Sequence, residues 1–114
     1  MDNITKLNLL FDYYGDFLTK KQKDIFELYY LNDLSLGEIA ENSGITRQGV
    51  YDILRRSQDI LLNFEEKLGM VKKYTCQKKE IQKILVILEE LEQGLALDYK
   101  QKYTDVYNRI SSLL

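Results

Sequence analysis

Arg47 and Gln48 open an amphipathic segment, with Tyr51, Asp52, Arg55 and Arg56 on the polar side of its next turns. These six are the chain's candidate contacts to nucleic acid or a protein partner. Arginine pairs with guanine and glutamine with adenine, each through two hydrogen bonds, and the first turns of a groove-docked helix make such contacts. Arg55 and Arg56 suit phosphate oxygens. Asp52 works against base reading, because one turn beyond Gln48 it would meet phosphates as a like charge. Catalysis has little to draw on. There is no histidine, which removes the commonest general base at neutral pH. With Cys76 as the sole cysteine, neither zinc ligation nor a cysteine–histidine nucleophile can be assembled. Six scattered glycines form no phosphate-cradling loop, so no cofactor is expected. Glu65-Glu66 and Glu89-Glu90 are adjacent on helices, where neighbours point about 100° apart; they read as solvated faces.

The six candidates need a platform, and the stretch Leu34–Ser57 supplies one. Ser35 with Glu38 three residues on forms a capping box that starts a helix at Leu36. Ile39 and Ala40 face inward, Ala40 being small where two helices cross. Gly44 sits in the turn, where a left-handed backbone costs glycine little. Thr46 caps a second helix, with Val50, Ile53 and Leu54 at helical spacing and Ile45 buried before it. This is the pattern of a helix-turn-helix, with motif 34–57 and the second helix as the recognition helix.

Two further helices brace the motif. Ile4, Leu7, Leu10, Phe11 and Tyr14 lie on one side of a segment ending near Gly15. Thr19 and Gln22 form another capping box, ahead of inward Ile25, Phe26 and Tyr29. Beyond Ser57 the apolar stripe continues through Ile60, Leu61, Phe64, Leu68 and Val71. With no proline to force a break, a single long helix from Arg47 to beyond Leu68 is expected, although Gly69 is a possible stop. A helix over 78–93 with Ile81, Ile84, Leu85, Leu88 and Leu91 inward ends at Gly94. A last helix, capped by Asp98, carries Tyr99, Tyr103 and Tyr107 at intervals of four, as core or as a subunit contact. The class is all-α: a helix-turn-helix domain over 1–75 and a helical hairpin over 76–114 for packing or dimerisation. Of the doublets Tyr13-Tyr14 and Tyr29-Tyr30, one ring each should be buried and the other near the surface.

Composition narrows the setting. At 114 residues, with 45% hydrophobic and 30% charged residues, the chain can bury a core and is not disordered. No apolar run approaches the ~20 residues that span a bilayer, so no membrane insertion is expected. The N-terminus lacks the basic-then-apolar order of a signal peptide, and one cysteine suits a reducing interior, so a cytoplasmic location is expected. The net charge of −2 is unhelpful to a nucleic-acid binder. Within 34–57 the three arginines are matched by Glu38, Glu41 and Asp52, and residues 1–75 hold ten basic against twelve acidic side chains.

The run LTKKQKDIFELYYLNDLSLGEIAENSGITRQGVYDILRRS resembles region 4 of sigma factors, although Tyr51-Asp52 stand where that family carries polar or basic base-reading residues. A larger part of the chain, about residues 7–75, is similar to the YlxM family through LFDYYGDFLT, LYYLNDLSLGEIAE, TRQGVYDILRRS and NFEEKLG. That resemblance implies a cytoplasmic, sigma region 4-like fold, often dimeric. It also implies a regulatory role in the signal recognition particle pathway, inferred largely from gene proximity to the particle's GTPase, with the particle's RNA and GTPase as partners. Two functions are therefore weighed. One is a non-catalytic regulator or adaptor of that pathway. The other is a DNA-binding transcriptional regulator using Arg47 and Gln48 for bases and Arg55 and Arg56 for phosphates. A dimeric scaffold whose recognition helix serves only packing is a third.

Overall fold

The computed structural model describes residues 2–114. It contains helices α1 (Asn3–Tyr14), α2 (Lys20–Phe26), α3 (Leu36–Ser43), α4 (Arg47–Leu68), α5 (Met70–Glu92) and α6 (Leu97–Ser111), and no strand among the described residues. Three of the four N-caps read from sequence are in place. Thr19 and Gln22 close one capping box and Ser35 and Glu38 another, and Thr46 Oγ1 accepts from the Gly49 N–H at 2.9 Å. Gly44 is left-handed at φ 66°, and its N–H returns to the Ala40 carbonyl, so the turn between α3 and α4 is closed by the glycine itself.

The backbone departs from the expected outline in three places. Gly69 takes φ 62° and ends α4 at Leu68, so the single long helix expected past that residue is two helices. A glycine in the left-handed region avoids the Cβ–carbonyl contact that penalises other residues, and the break is secured by tertiary hydrogen bonds. Between Glu27 and Leu31 the chain widens into a π-helical turn, which sets Tyr29 and Tyr30 side by side with rings at 90° and 4.9 Å apart. Both are half-buried, rather than one buried and one exposed as in the Tyr13-Tyr14 doublet. The last helix begins after Ala96, so Asp98 is a first-turn acid and not the cap; it still complements the helix dipole.

The chain forms two compact units, Met1–Val71 and Lys72–Leu114. The change falls in the first turn of α5, a few residues before the expected 75/76 boundary. In the first unit, Leu7, Leu10, Tyr14, Leu18, Phe26, Leu61 and Val71 make one core cluster; Ile25, Ile39, Ala40, Val50 and Leu54 make the other. The second cluster holds α3 and α4 in the helix-turn-helix geometry and the first braces the far half of α4. Phe11 stacks on Phe26 at 4.6 Å and Phe17 on Phe64 at 4.2 Å. Ile4 and Leu68, expected inward, are exposed. Leu68 lies in the last turn of α4, where the chain turns away before the stripe is covered.

The second unit buries less. Leu85 is its one buried large apolar residue, whereas Ile84, Leu91, Tyr99, Val106 and Leu113 are exposed. Tyr103 and Tyr107 are half-buried, with the Tyr107 hydroxyl donating to Glu89 at 2.8 Å. Two helices present only one mutual seam, so part of each apolar stripe has no intramolecular cover.

Candidate interaction surface of the helix-turn-helix

Each of the six candidate residues is exposed on one helix. Arg47 is the first residue of α4, Gln48 and Asp52 are four apart, and Arg55 and Arg56 follow a turn later. Val50 and Leu54, fully or nearly buried beneath them, anchor this face to α3. Thr46 caps the helix, and Gly49 leaves room for that cap: a Cβ there would stand 3.1 Å from Thr46 Oγ1.

Gln48 and Asp52 are brought together. The Gln48 amide donates to Asp52 Oδ1 at 3.1 Å, so the side chain offered to adenine already has an intramolecular acceptor. Arg47, Arg55 and Arg56 hold no hydrogen bond or ion pair among the described residues, unlike Lys23, paired with Asp16, and Arg109, paired with Asp105. Three cations are therefore available on α4, interleaved with an acid.

A cleft of about 350 Å³ opens beside this face, lined by Tyr29, Tyr30, Leu36, Tyr51, Leu54, Arg55, Gln58 and Asp59. Gln58 donates to the Tyr30 hydroxyl in a short hydrogen bond, tying the π-turn to α4. Burial pushes the Tyr30 hydroxyl above its ordinary pKa, with the neighbouring Tyr29 adding to the shift, so it remains a neutral partner at physiological pH. Of the six candidates, Tyr51 and Arg55 line the cleft and Arg47, Gln48, Asp52 and Arg56 do not. Gln58 and Asp59 were not marked in the sequence, and Tyr29, expected inward, lines the cleft with Tyr30. A π-turn shifts the register of the residues within it, and no local sequence signal announces one.

A second group went unmarked in sequence. The first two-thirds of α5 carries Lys72, Lys73, Lys78, Lys79 and Lys83, all exposed. Counting charge over the unit Met1–Val71 gives eight basic against twelve acidic residues, and over Lys72–Leu114 eight against six. The helix-turn-helix unit is thus the acidic part of the molecule and the following unit is mildly basic. A charge count by unit, rather than over 1–75, reveals this.

A helix-turn-helix held by the Ser35–Glu38 capping box, a left-handed turn glycine and the Thr46 cap defines the class of protein. Residues 1–86 match the UPF0122 family, described as "Putative helix-turn-helix protein, YlxM / p13 like". The chain belongs to that family. It is 44% identical over 110 residues to a UPF0122 protein of Desulforamulus reducens, covering 96% of this chain and 94% of that one. It is 57% identical over 83 residues to one of Caldanaerobacter subterraneus subsp. tengcongensis, covering 73% and 71%. A Bacillus velezensis UPF0122 protein is 44% identical over 100 residues, covering 88% and 87%. The matched span includes the helix-turn-helix and the lysine-bearing part of α5. No helix among the described residues is long and apolar enough to cross a membrane.

Proposed function

We propose that this protein is a non-catalytic regulator or adaptor acting in the cytoplasm on the signal recognition particle pathway, engaging the particle's GTPase or RNA as a homodimer. The observation that carries the adaptor reading is the acidic balance of the helix-turn-helix unit, eight basic against twelve acidic residues. Duplex binding draws its non-specific affinity from phosphate neutralisation, and this unit has little with which to supply it. The cleft beside α4 supports a protein contact instead, since tyrosine and arginine are enriched among the anchors of protein interfaces. The pathway itself follows from the YlxM resemblance.

A DNA-binding regulator is the second reading, favoured by the three available arginines on α4. In that case replacing Arg47 and Gln48 with alanine lowers specific DNA binding by ~1–3 kcal/mol per lost base contact. With Arg55 and Arg56 as the α4 phosphate contacts, the salt slope would be about −2. Capture of partners by the tagged full chain from native lysate decides between the readings. Recovery of the particle's RNA or GTPase supports the adaptor; an empty capture, with selection from random DNA at physiological salt returning one sequence, overturns it in favour of the second.

A further inference from the structure

Helix α5 carries an apolar stripe that its own unit leaves exposed. Ile84, Ile87 and Leu91 are spaced three and four apart, within roughly 60° of one another around the helix axis. They are 40%, 55% and 57% exposed. Leu91 also lines a groove with Leu88 and the α6 residues Tyr99 and Val106, so stripe and groove form one surface. Along one edge of the stripe stand Lys79, Lys83 and Glu90, all exposed and within roughly 40° of each other. That edge is basic toward the N-terminus of α5 and acidic toward its C-terminus. The other edge, Ile81 and Leu88, is apolar and half-buried.

We propose that this stripe seats a second copy of the chain, with the two α5 helices packed antiparallel across it. The homodimer belongs to the reading above; its surface, direction and charge pairing come from α5 itself. In heptad terms Ile84, Ile87 and Leu91 are successive a, d and a positions, and Lys83 and Glu90 are successive g positions. An antiparallel pair sets g against g. Lys83 of each copy then meets Glu90 of the other, about a two-fold axis beside Ile87. Parallel packing would bring lysine beside lysine and glutamate beside glutamate, which repel. A second copy reversed end to end matches the stripe, the basic edge and the acidic edge together, and that self-complementarity selects it as the occupant.

Sedimentation equilibrium of the full chain tests the pairing. Lys83→Glu brings two acids together at each contact and weakens dimerisation about tenfold, as Glu90→Lys does with two cations. Lys83→Glu combined with Glu90→Lys restores opposite pairs and returns the dimerisation constant to within about threefold of wild type. Ile87→Glu gives a monomer of unchanged helical content, since this side chain packs little within its own chain. Direction follows from a nitroxide on Cys76, the one cysteine, which is exposed. Antiparallel helices centred beside Ile87 hold the two labels about 30 Å apart, and parallel helices about 10 Å. A wild-type chain that stays monomeric, a dimer indifferent to both charge reversals, or labels at the short distance overturns the proposal. It fails separately from the adaptor reading. A monomer that still captures the particle's RNA or GTPase sinks this surface alone, and a charge-dependent dimer beside an empty capture sinks only the adaptor.

Discussion

Tyr14 shows how one side chain can hold a helix break. It is 1% exposed, and its hydroxyl donates to Glu65 Oε1 at 2.7 Å while accepting from the Met70 N–H at 3.0 Å. The same carboxylate oxygen accepts from the Val71 N–H at 2.9 Å. The first amides of α5, which have no intrahelical acceptor, are thus met by α1 and α4 side chains. Tyr14→Phe removes the hydroxyl and leaves the Met70 amide without it; a loss of about 1–2 kcal/mol is expected in the free energy of urea unfolding. Burial, followed by the Glu65 contact, raises the Tyr14 pKa above the ordinary value of 10.0. The unfolded chain then ionises first, so this contribution is complete below pH 10 and declines as the pH rises through the folded value. The difference between wild type and Tyr14→Phe, measured from pH 8 to 11, should narrow only at the alkaline end. A gap that is constant across the range counts against the linkage.

Gly69 and Gly44 are the element-scale hinges of the first unit. Both are left-handed, at φ 62° and 66°, and an added Cβ at either meets nothing within 4 Å. Alanine therefore costs backbone strain alone, ~1–2 kcal/mol. Gly69→Ala should lower the free energy of urea unfolding by that amount with an unchanged slope, and Gly44→Ala should match it. A much larger loss at Gly69 would mean that α4 and α5 merge and pull the Tyr14–Glu65 contacts apart. The capping boxes at Thr19 and Ser35 were fully legible in the sequence, because each is a contact between residues three apart. The π-turn at Glu27–Leu31 was not, since its wider turn answers to packing of Phe26 and Tyr30 against α1 and α4.

At the scale of the whole molecule, the charge is divided between units and the apolar surface is concentrated in one. Leu88, Leu91, Leu95, Tyr99, Tyr103 and Val106 line an apolar groove of about 270 Å³ in the second unit, with Lys102 its one charge. The proposed homodimer has its clearest seat here, because a second copy of the same face would bury apolar surface without stranding an acid. Leu91→Glu with Val106→Glu should convert a sedimenting dimer to a monomer of unchanged helical content. These side chains are 57% and 44% exposed, so little intramolecular packing is lost. A wild-type chain that sediments as a monomer at every concentration refutes the dimer.

Sequence alone determined what depends on short separations. Helical spacing placed the apolar faces, and Ser35, Thr46 and Gly44 marked the motif's boundaries. The six candidates of α4 follow from it, since polar positions on a helix are exposed once the opposite face is buried. Tertiary structure decided what depends on distant residues meeting. It set Gly69 as a break by supplying acceptors from Tyr14 and Glu65. It gathered Tyr29 and Tyr30 with Tyr51 and Asp59 into one cleft. It also separated an acidic unit from a basic one at Val71, a boundary set by which side chains reach the core. Local rules count bonds within a turn; the break, the cleft and the boundary are made by groups far apart in the chain.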